Sequence, residues 1–288
     1  MKLLIPLDGS PSSEAALRFA PLLKPLGIDR VVLMSVCEDF DHGAEARGAD
    51  DFYERESVLY TAYLRDAARR LEGAMTCEVR SELRCGRPAD EIRKLARAEQ
   101  VDLIMMSTHG RSGLSRWAIG SVADKVLRSS EHPMFVIGPK AARKGAPGAI
   151  ARVAVPLDGS TPAEAALKTA REWALRLDAR LYLVRAVDLP TFPAEEALIY
   201  SPELVEAARR AATQYLDEVA AGIEGVKVET AVLVGQPAVQ LTSFCRNRKI
   251  DLVVMTTHGR GAVARAILGS TTDRLLHGPA PVLVIPSR

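Results

Sequence analysis

The stretch Ile5-Pro6-Leu7-Asp8-Gly9-Ser10 occurs twice in this chain, and its second copy is Val155-Pro156-Leu157-Asp158-Gly159-Ser160. The two aspartates are separated by 158 − 8 = 150 positions. An apolar run precedes each copy and predicts a buried strand, so each Asp-Gly-Ser follows directly on the end of a strand.

A second block is repeated at nearly the same distance. Thr108-His109-Gly110, followed by Gly120-Ser121, recurs as Thr257-His258-Gly259, followed by Gly269-Ser270. In both copies nine residues separate the two glycines. Two blocks kept at one long period indicate a duplicated domain, because a solenoid would repeat at a much shorter period.

Apolar runs alternate with helical patterns through both halves. In the first half we predict strands at 2–7, 30–37, 76–84, 101–106 and 134–137, and helices at 11–26, 51–71, 87–100 and 120–130. In the second half we predict strands at 152–157, 180–187, 226–234, 251–256 and 282–285, and helices at 162–177, 202–222, 237–249 and 269–277. The alternation indicates the α/β class, as two tandem open parallel five-stranded sheets with helices on both faces, Rossmann-like in type.

The repeat also predicts the domain organisation. We expect a first domain at 1–140, a linker at 141–150 that is rich in Gly and Ala, and a second domain at 151–288. Ser10 is expected to cap the first helix, with Pro11 in its first position.

Net charge and hydropathy limit the classes of partner. The formal net charge is +2, which gives no electrostatic reason to expect nucleic acid or an anionic membrane as the main partner. Met1 leads straight into a strand pattern without a signal-like segment, and no apolar run approaches the length of a membrane span. We therefore expect a cytoplasmic protein.

Cysteines and acidic residues suggest no metal centre. The four cysteines, Cys37, Cys77, Cys85 and Cys245, have no CxxC or metal-finger spacing, and we expect reduced thiols that pack as small apolar residues. Cys77 and Cys85, in one predicted strand, are too far apart to bridge. The acidic segment 38–50 lacks a coordination spacing, so we expect a solvated loop there.

The repeated motifs lie where an open parallel sheet binds its ligands, beyond the carboxyl ends of the strands and near the reversal of strand order. Asp8 and Asp158 follow the first strand of each half, and the glycine motifs follow the fourth. Each aspartate could bind a ribose hydroxyl or a phosphate-bound cation, or it could cap the next helix. The ligand role is favoured because Ser10 and Ser160 already supply a cap.

The glycine motif fits a phosphate group. Gly110 and Gly259 can adopt positive φ and let a phosphate approach the backbone. Gly120-Ser121 and Gly269-Ser270 open the following helix with free N–H groups and a hydroxyl. The alternative is that these glycines only form turns, but a turn does not require a distant Gly-Ser at a fixed spacing.

Catalytic residues are not assigned. Neither copy is a Walker A loop, because the chain has no Gly-Lys-Ser or Gly-Lys-Thr, and the missing lysine favours binding over fast hydrolysis. His109 and His258 lack an identifiable nucleophile and orienting acid. We therefore expect loop histidines that hydrogen-bond the backbone.

Further repeated residues identify a family. Gly86-Arg87-Pro88 and Gly235-Gln236-Pro237 precede the third helix, and Asp102-Leu103 and Asp251-Leu252 open the fourth strand. Together with the Asp-Gly-Ser and Thr-His-Gly motifs, they make the chain resemble a tandem universal stress protein of the ATP-binding branch. The resemblance covers nearly the whole chain outside the linker.

The resemblance implies an adenine-nucleotide-binding fold, similar to the adenine nucleotide alpha hydrolases, and an ATP motif of the form Gly-x2-Gly-x9-Gly-Ser/Thr. It implies an acidic residue near the ribose and a strand-end backbone position that pairs with adenine, Val36 or Ala186. The implied binding residues are Pro6, Asp8, Val36, Ser107, His109, Gly110, Gly120 and Ser121 in the first half, and Pro156, Asp158, Ala186, Thr256, His258, Gly259, Gly269 and Ser270 in the second.

One position departs from the motif. Its first glycine is Ser107 in the first half and Thr256 in the second. If the position needs positive φ, the β-branched Thr256 is the worse of the two, so we expect the second site to bind more weakly.

The family resemblance also implies pairing through the last strand of each domain, here 134–137 with 282–285. The chain would then form an intramolecular pseudo-dimer, and association into a homodimer is left open.

The leading functional hypothesis is a stress-response or regulatory module that binds ATP, or AMP or ADP, with or without Mg²⁺, and acts on a regulatory protein partner with little or no hydrolysis. One alternative is a slow ATPase or phosphate-transfer enzyme that uses the same crevice. The other is an interaction module that binds no nucleotide.

Overall fold

The structure is a computed structural model, and it describes residues 1–37, 49–108, 119–188, 202–256 and 269–286, with the backbone alone at 49–55 and 202. Segments 38–48, 109–118, 189–201, 257–268 and 287–288 lie outside the described residues. The chain divides into two compact units, Met1–Ala146 and Pro147–Arg288.

The first unit alternates strands and helices. Its strands are β1 (Lys2–Pro6), β2 (Arg30–Cys37), β3 (Glu78–Cys85), β4 (Leu103–Ser107) and β5 (Met134–Ile137). Its helices are α1 (Ala15–Phe19), a 3₁₀ helix (Ala20–Leu26), α2 (Ala49–Glu72), α3 (Pro88–Ala98), α4 (Ser121–Ser129) and α5 (Pro139–Lys144). The strand order is β3-β2-β1-β4-β5, and all its pairs are parallel.

The second unit repeats this order. Its strands are β6 (Arg152–Pro156), β7 (Arg180–Val187), β8 (Val228–Val234), β9 (Leu252–Thr256) and β10 (Val282–Ile285). Its helices are α6 (Thr161–Glu164), α7 (Ala166–Arg176), α8 (Pro202–Ala221), α9 (Pro237–Asn247) and α10 (Ser270–Leu276). The order β8-β7-β6-β9-β10 is again wholly parallel.

These sheets confirm the predicted α/β class. Helices α2 and α3 both pack on β2 and β3, and right-handed crossovers in opposite directions along the sheet place them on opposite faces. Central strands covered on both faces must be apolar throughout. Accordingly, all five residues of β4 are buried, and the core of the first unit includes Phe19 against Phe135, with ring centroids 6.3 Å apart.

The α-helix predicted at 11–26 is not α-helical over most of that range. Residues 11–14 form a turn, α1 covers only Ala15–Phe19, and Ala20–Leu26 is a 3₁₀ helix that ends at Gly27. Pro21 and Pro25 have no N–H group to donate to the carbonyl four residues earlier, and in an α-helix their rings clash with that carbonyl. A regular α-helix is therefore disfavoured over this segment.

Two further predictions need correction. The helix expected at 162–177 is interrupted at Ala165, which separates α6 from α7. The segment expected to be a linker begins inside a helix, because α5 covers Pro139–Lys144 and Arg18 donates to the Ala142 carbonyl at 3.3 Å. The irregular part of this segment therefore starts at Gly145.

The cysteines do not all behave as small core residues. Cys37 and Cys245 are buried, but Cys77 is half-buried and Cys85 is exposed. Cys85 ends β3, the strand at one edge of the first sheet, and the prediction that it packs as an apolar residue is wrong.

No helix in the described ranges combines the length and apolar character needed to cross a lipid bilayer.

Candidate functional site

Strand order reverses beside the first strand of each unit. In the first unit β1 lies between β2 and β4, with Leu3 beside Leu103. The chain leaves β1 toward β2 and β3 and returns to β4 on the other side, which makes the gap between β1 and β4 the switch point where open α/β sheets bind ligands. Asp8 follows β1, and Ser107 is the last residue of β4. In the second unit Asp158 follows β6, and Thr256 is the last residue of the neighbouring strand β9.

The Asp-Gly-Ser sequence forms the same tight turn in both units. The Ser10 N–H donates to Asp8 Oδ1 at 2.9 Å, and the Ser160 N–H donates to Asp158 Oδ1 at 2.9 Å. The Ser160 hydroxyl also donates to Asp158 Oδ1, at 2.6 Å. Each carboxylate is thus oriented by the backbone at the strand exit, as in an Asx turn. Its ligand role stays a prediction.

The glycine and the serine of the turn have separate roles. Gly9 and Gly159 have φ of 80° and 82°, a left-handed conformation that favours glycine. The Ser160 hydroxyl oxygen accepts from the Ala163 N–H at 3.3 Å and caps α6, as predicted. The Ser10 oxygen accepts from the Ser13 N–H at 3.1 Å, although α1 begins only at Ala15.

Helices α4 and α10 begin at the predicted glycines. Gly120 (φ −58°, ψ 145°) and Gly269 (φ −62°, ψ 146°) are their N-cap residues. Neither glycine has positive φ, and neither has a side chain that could cap the first N–H groups. Ser121 and Ser270, the first helical residues, are exposed. The N-cap residue of each helix therefore supplies no side-chain acceptor for the first N–H groups, and such groups can bind an anion such as phosphate.

One N–H group expected to be free is paired. The Gly120 N–H donates to the Thr108 carbonyl at 2.7 Å, and the Thr108 N–H donates to the Ile137 carbonyl at 3.1 Å. This chain of hydrogen bonds fastens the start of α4 to the ends of β4 and β5. An anion at this position would use the N–H groups that follow Gly120.

A side chain at Gly269 would not clash with the described residues. Among them, an added Cβ would lie nearest to Thr272 Oγ1, at 3.8 Å, an ordinary contact distance. Because the backbone conformation also suits any residue, neither strain nor packing against the described residues explains the glycine there.

Thr256 is not conformationally worse than Ser107, so that prediction is wrong. Both are the last residues of extended strands, and in the described ranges the non-glycine residues with positive φ are Gln100, Asp178 and Lys249. Ser107 and Thr256 are 7% and 4% exposed. The backbone therefore gives no reason to rank the two sites.

The backbone of Val36 is directed toward the end of β1. The Leu7 N–H donates to the Met34 carbonyl at 2.7 Å, and the Gly86 N–H donates to the Cys37 carbonyl at 3.0 Å. The carbonyl of Met34 therefore points toward β1, and the carbonyl of Cys37 points toward β3. Since the backbone groups of successive strand residues alternate between the two neighbours, Val36 faces the β1 side, beyond the point where β1 has ended at Pro6.

Ala186 has the same orientation in the second unit. The Leu157 N–H donates to the Val184 carbonyl at 2.8 Å, and the Gly235 N–H donates to the Val187 carbonyl at 2.9 Å. Ala186 therefore faces the β6 side, beyond Pro156, where β6 ends.

Four candidate residues, His109, Gly110, His258 and Gly259, lie outside the described residues, as does most of the acidic segment 38–50. Within the described ranges, no group of three or more His, Cys, Asp or Glu side chains is arranged to hold a metal ion.

A tyrosine–glutamate contact beside the Asp-Gly-Ser turn was not anticipated. The Tyr215 hydroxyl donates to Glu164 Oε1 at 2.7 Å, and Arg185 lies 4.6 Å above the Tyr215 ring. Burial raises the pKa of Tyr215, and the bond to Glu164 and the charge of Asp158 raise it further. Glu164 and Glu14 are separated by 164 − 14 = 150 positions, the same distance as Asp158 and Asp8. Extending the comparison of the two repeats beyond the Asp-Gly-Ser motif would therefore have indicated this glutamate.

The equivalent glutamate in the first unit holds an arginine. Arg70 donates to both oxygens of Glu14, at 3.0 and 3.2 Å. This bond lowers the pKa of Glu14. In both units a glutamate thus connects the segment after the Asp-Gly-Ser turn to the long helix, α2 or α8.

Fold and site define a class: open parallel α/β domains with a polar, glycine-containing site at the strand ends, present twice in one chain. The profile of the universal stress protein family matches residues 1–138 and 150–286. The chain therefore belongs to the universal stress protein family, as a tandem member.

Individual proteins that are similar to this chain are also universal stress proteins. The chain is 33% identical over 138 residues to a universal stress protein of Methanocaldococcus jannaschii, covering 46% of this chain and 81% of the relative. It is 30% identical over 215 residues to a universal stress protein of Mycobacterium tuberculosis, covering 72% of this chain and 68% of the relative. A crystal structure of a universal stress protein from Archaeoglobus fulgidus has the same fold, with a TM-score of 0.74 at 22% identity, covering 99% and 96% of the two chains.

Proposed function

We propose that each unit binds an adenine nucleotide, with ATP as the leading candidate, at the carboxyl edge of its sheet, and that the chain acts as a nucleotide-dependent regulatory module. The observation that carries the proposal is the meeting of two features at one switch point. An oriented carboxylate follows one strand, and a helix start with a glycine N-cap follows the neighbouring strand.

The phosphates would bind at the start of α4 and of α10. A helix start attracts anions through its unpaired N–H groups and the positive end of the helix dipole. Glycine at the N-cap leaves that end uncovered, and the exposed hydroxyl of Ser121 or Ser270 adds a donor. No described residue crowds a Cβ added at Gly269, which fits a position that a ligand approaches.

The ribose would bind beside Asp8 or Asp158. The Ser10 and Ser160 N–H groups hold one oxygen of each carboxylate, so the position of the carboxylate is fixed before a ligand arrives. An oriented carboxylate can accept hydrogen bonds from ribose hydroxyls. It can also approach Mg²⁺ carried in by the phosphates, since hard cations prefer carboxylate oxygens.

The base would bind to backbone groups of Val36 or Ala186. An N–H and a C=O directed past the end of the neighbouring strand can pair with the acceptor and donor on one edge of adenine. Guanine carries the acceptor O6 where adenine carries the donor N6–H₂. The same backbone pair would therefore oppose guanine, so we expect ATP to be preferred over GTP.

Nucleotide-dependent unfolding tests the proposal. With ATP at a hundred times its dissociation constant, the free energy of unfolding should rise by about 2.7 kcal/mol for a single site. GTP serves as the matched control and should have a much smaller effect. Equal thermal shifts with ATP and GTP would contradict the adenine assignment, and no shift with ATP, ADP or AMP would favour an interaction module that binds no nucleotide.

A further inference from the structure

Two cysteines of the first unit lie side by side at the same strand ends. Cys37 is the last residue of β2 and Cys85 the last residue of β3, and the two are direct partners in the parallel register. Cys85 therefore has its neighbour on the adjacent strand and not in Cys77, which precedes β3 in the chain. Directly paired residues of neighbouring strands project from the same face of the sheet.

The spacing of the two residues suits a disulfide. Neighbouring strands lie about 4.8 Å apart, which is within the roughly 4.4–6.8 Å range of Cα separations that disulfides span. The register places the two residues directly opposite each other, with no residue between them. Closure would draw two strand ends slightly together and would not require the core to move, because both residues are the last of their strands.

The two thiols have different environments. Cys37 is 1% exposed, whereas Cys85 is exposed. Burial raises the pKa of the Cys37 thiol to about 11, and Cys85 and Glu56 raise it further by their charge. An oxidant can reach Cys85 directly. Burial shields the Cys37 thiol from the oxidant and keeps it protonated.

We propose that Cys37 and Cys85 form a reversible redox site that hydrogen peroxide closes to an intramolecular disulfide. The Cys85 sulfur attacks one peroxide oxygen, the O–O bond breaks, and one water leaves as Cys85 becomes a sulfenic acid. The Cys37 sulfur then attacks the Cys85 sulfur, the S–O bond breaks, and a second water leaves with the Cys37 proton. Two thiols lose two electrons, and one peroxide is reduced to two waters.

The second unit supplies an internal comparison. Its equivalent strand ends, Val187 and Val234, are paired in the same register, and the Gly235 N–H bonds to the Val187 carbonyl as the Gly86 N–H bonds to the Cys37 carbonyl. The valine pair shows that this fold does not need sulfur here. If the cysteines only fill the same space as the valines, they will not form a disulfide with each other on oxidation.

Thiol counting on the full chain tests the proposal. The reduced protein is exposed to hydrogen peroxide, unreacted thiols are alkylated under denaturing conditions, and the intact mass and the peptide map are recorded. We expect two of the four thiols to be lost from alkylation, a Cys37–Cys85 linked peptide to appear, and dithiothreitol to restore both thiols. Protein with all four thiols still alkylated, or with Cys85 linked elsewhere or converted to sulfinic acid, would overturn the proposal.

Variants separate the pair from the other cysteines. Cys77→Ser should leave the linked peptide unchanged, whereas Cys85→Ser should abolish it. Cys85 is exposed, so this substitution is not expected to disturb folding. The double variant Cys37→Val, Cys85→Val reproduces the valine pair of the second unit and should lose the response to peroxide while retaining the native circular dichroism spectrum. Because none of these measurements uses nucleotide, their failure and the failure of the proposed function can be distinguished.

Discussion

Gly9 and Gly159 hold the turn after the first strand of each unit in the left-handed region, with φ of 80° and 82°. Residues with a Cβ pay a conformational cost there. The oriented carboxylates of Asp8 and Asp158 depend on this turn, so a residue without any reactive group determines the geometry of the candidate site.

Replacing Gly9 by Ala should therefore destabilise the protein by about 1–2 kcal/mol, the usual cost of placing an L-residue in the left-handed region. Denaturant unfolding measures the change. Gly148→Ala is the matched control, because nothing lies within 4 Å of an added Cβ there and its φ is not in the positive range. An equal loss of stability in both variants would contradict the assigned role of Gly9.

Gly269 tests the phosphate assignment separately from folding. Gly269→Ala should lower the free energy of unfolding without ligand by at most about 1 kcal/mol, the cost of alanine at an N-cap, since its φ of −62° suits alanine. Nucleotide affinity in the second unit should fall, because the new methyl group would occupy the approach to the first N–H groups. Calorimetric titration decides, and unchanged affinity in the folded variant would exclude a ligand at this helix start.

In the first unit, Gly120→Val should reduce nucleotide affinity more than Ser121→Ala. The valine side chain would crowd the approach to the backbone, whereas the serine variant loses one hydroxyl hydrogen bond, worth about 0.5–1.5 kcal/mol or up to about 3 kcal/mol with a charged phosphate. Titration of both variants, with circular dichroism as a control for folding, gives the order of the effects. The reverse order would argue against a backbone phosphate site.

At the scale of single residues, the sequence predicted the Ser160 cap and both glycine N-caps. It did not predict that the Gly120 N–H is paired with Thr108, because that bond joins residues from different elements. The extended backbone of Thr256 was also not predictable from residue type, since β-branching limits φ but does not reveal which φ a position needs.

The elements themselves were predicted well wherever packing and local preference agree. The strands β2, β5, β7 and β10 have the predicted limits, because buried parallel strands are continuous apolar runs. The first helix was not, since hydrophobic periodicity does not distinguish an α-helix from a 3₁₀ helix when prolines fall inside the pattern.

The contact between α2 and the segment before α1 should depend on pH. Arg70 holds the pKa of Glu14 below its ordinary value of 4.5. A lowered native pKa gives stability that is present above the unfolded value and is lost as the pH falls through the native value. Arg70→Gln should therefore cost at most about 1 kcal/mol near neutral pH, as expected of a partly exposed pair.

Unfolding curves recorded at several pH values check this prediction. The difference between wild type and Arg70→Gln should shrink as the pH falls below the ordinary glutamate value of 4.5, because protonation of Glu14, and of Asp66, which also pairs with Arg70, removes the charges that Arg70 meets. Arg69→Gln, an exposed neighbour on the same helix, is the control and should show no such pH dependence. A difference that persists in acid would mean that Arg70 contributes through packing and not through charge.

At the scale of the whole molecule, duplication gives two units with the same strand order and the same strand-end turns but different side chains around them. Glu14 pairs with an arginine, while Glu164 pairs with a tyrosine. The redox pair proposed for the first unit has only valines as its counterpart in the second. One unit can therefore serve as the control for experiments on the other.

We predict negligible ATP hydrolysis by the full chain. The repeated motifs contain no P-loop lysine to stabilise charge that develops on the γ-phosphate. Turnover should be far below the usual enzyme range of about 1–1,000 per second. A steady-state phosphate-release assay with Mg²⁺ measures it, and turnover within that range that is lost in the Asp8→Ala, Asp158→Ala double variant would instead favour an enzyme.

The hydrogen bond from the Gly120 N–H to the Thr108 carbonyl joins two residues that are separated in the sequence by residues 109–119. The entropic cost of joining two points of a chain changes slowly with the number of residues between them, and even a doubling would cost only about 0.6 kcal/mol. Folding alone would therefore tolerate different lengths between these points in the two halves, yet 109–119 and 258–268 are equally long. Inserting two glycines into 109–119 should barely change stability but should weaken nucleotide binding, and unaltered binding would mean that the equal lengths are only a remnant of the duplication.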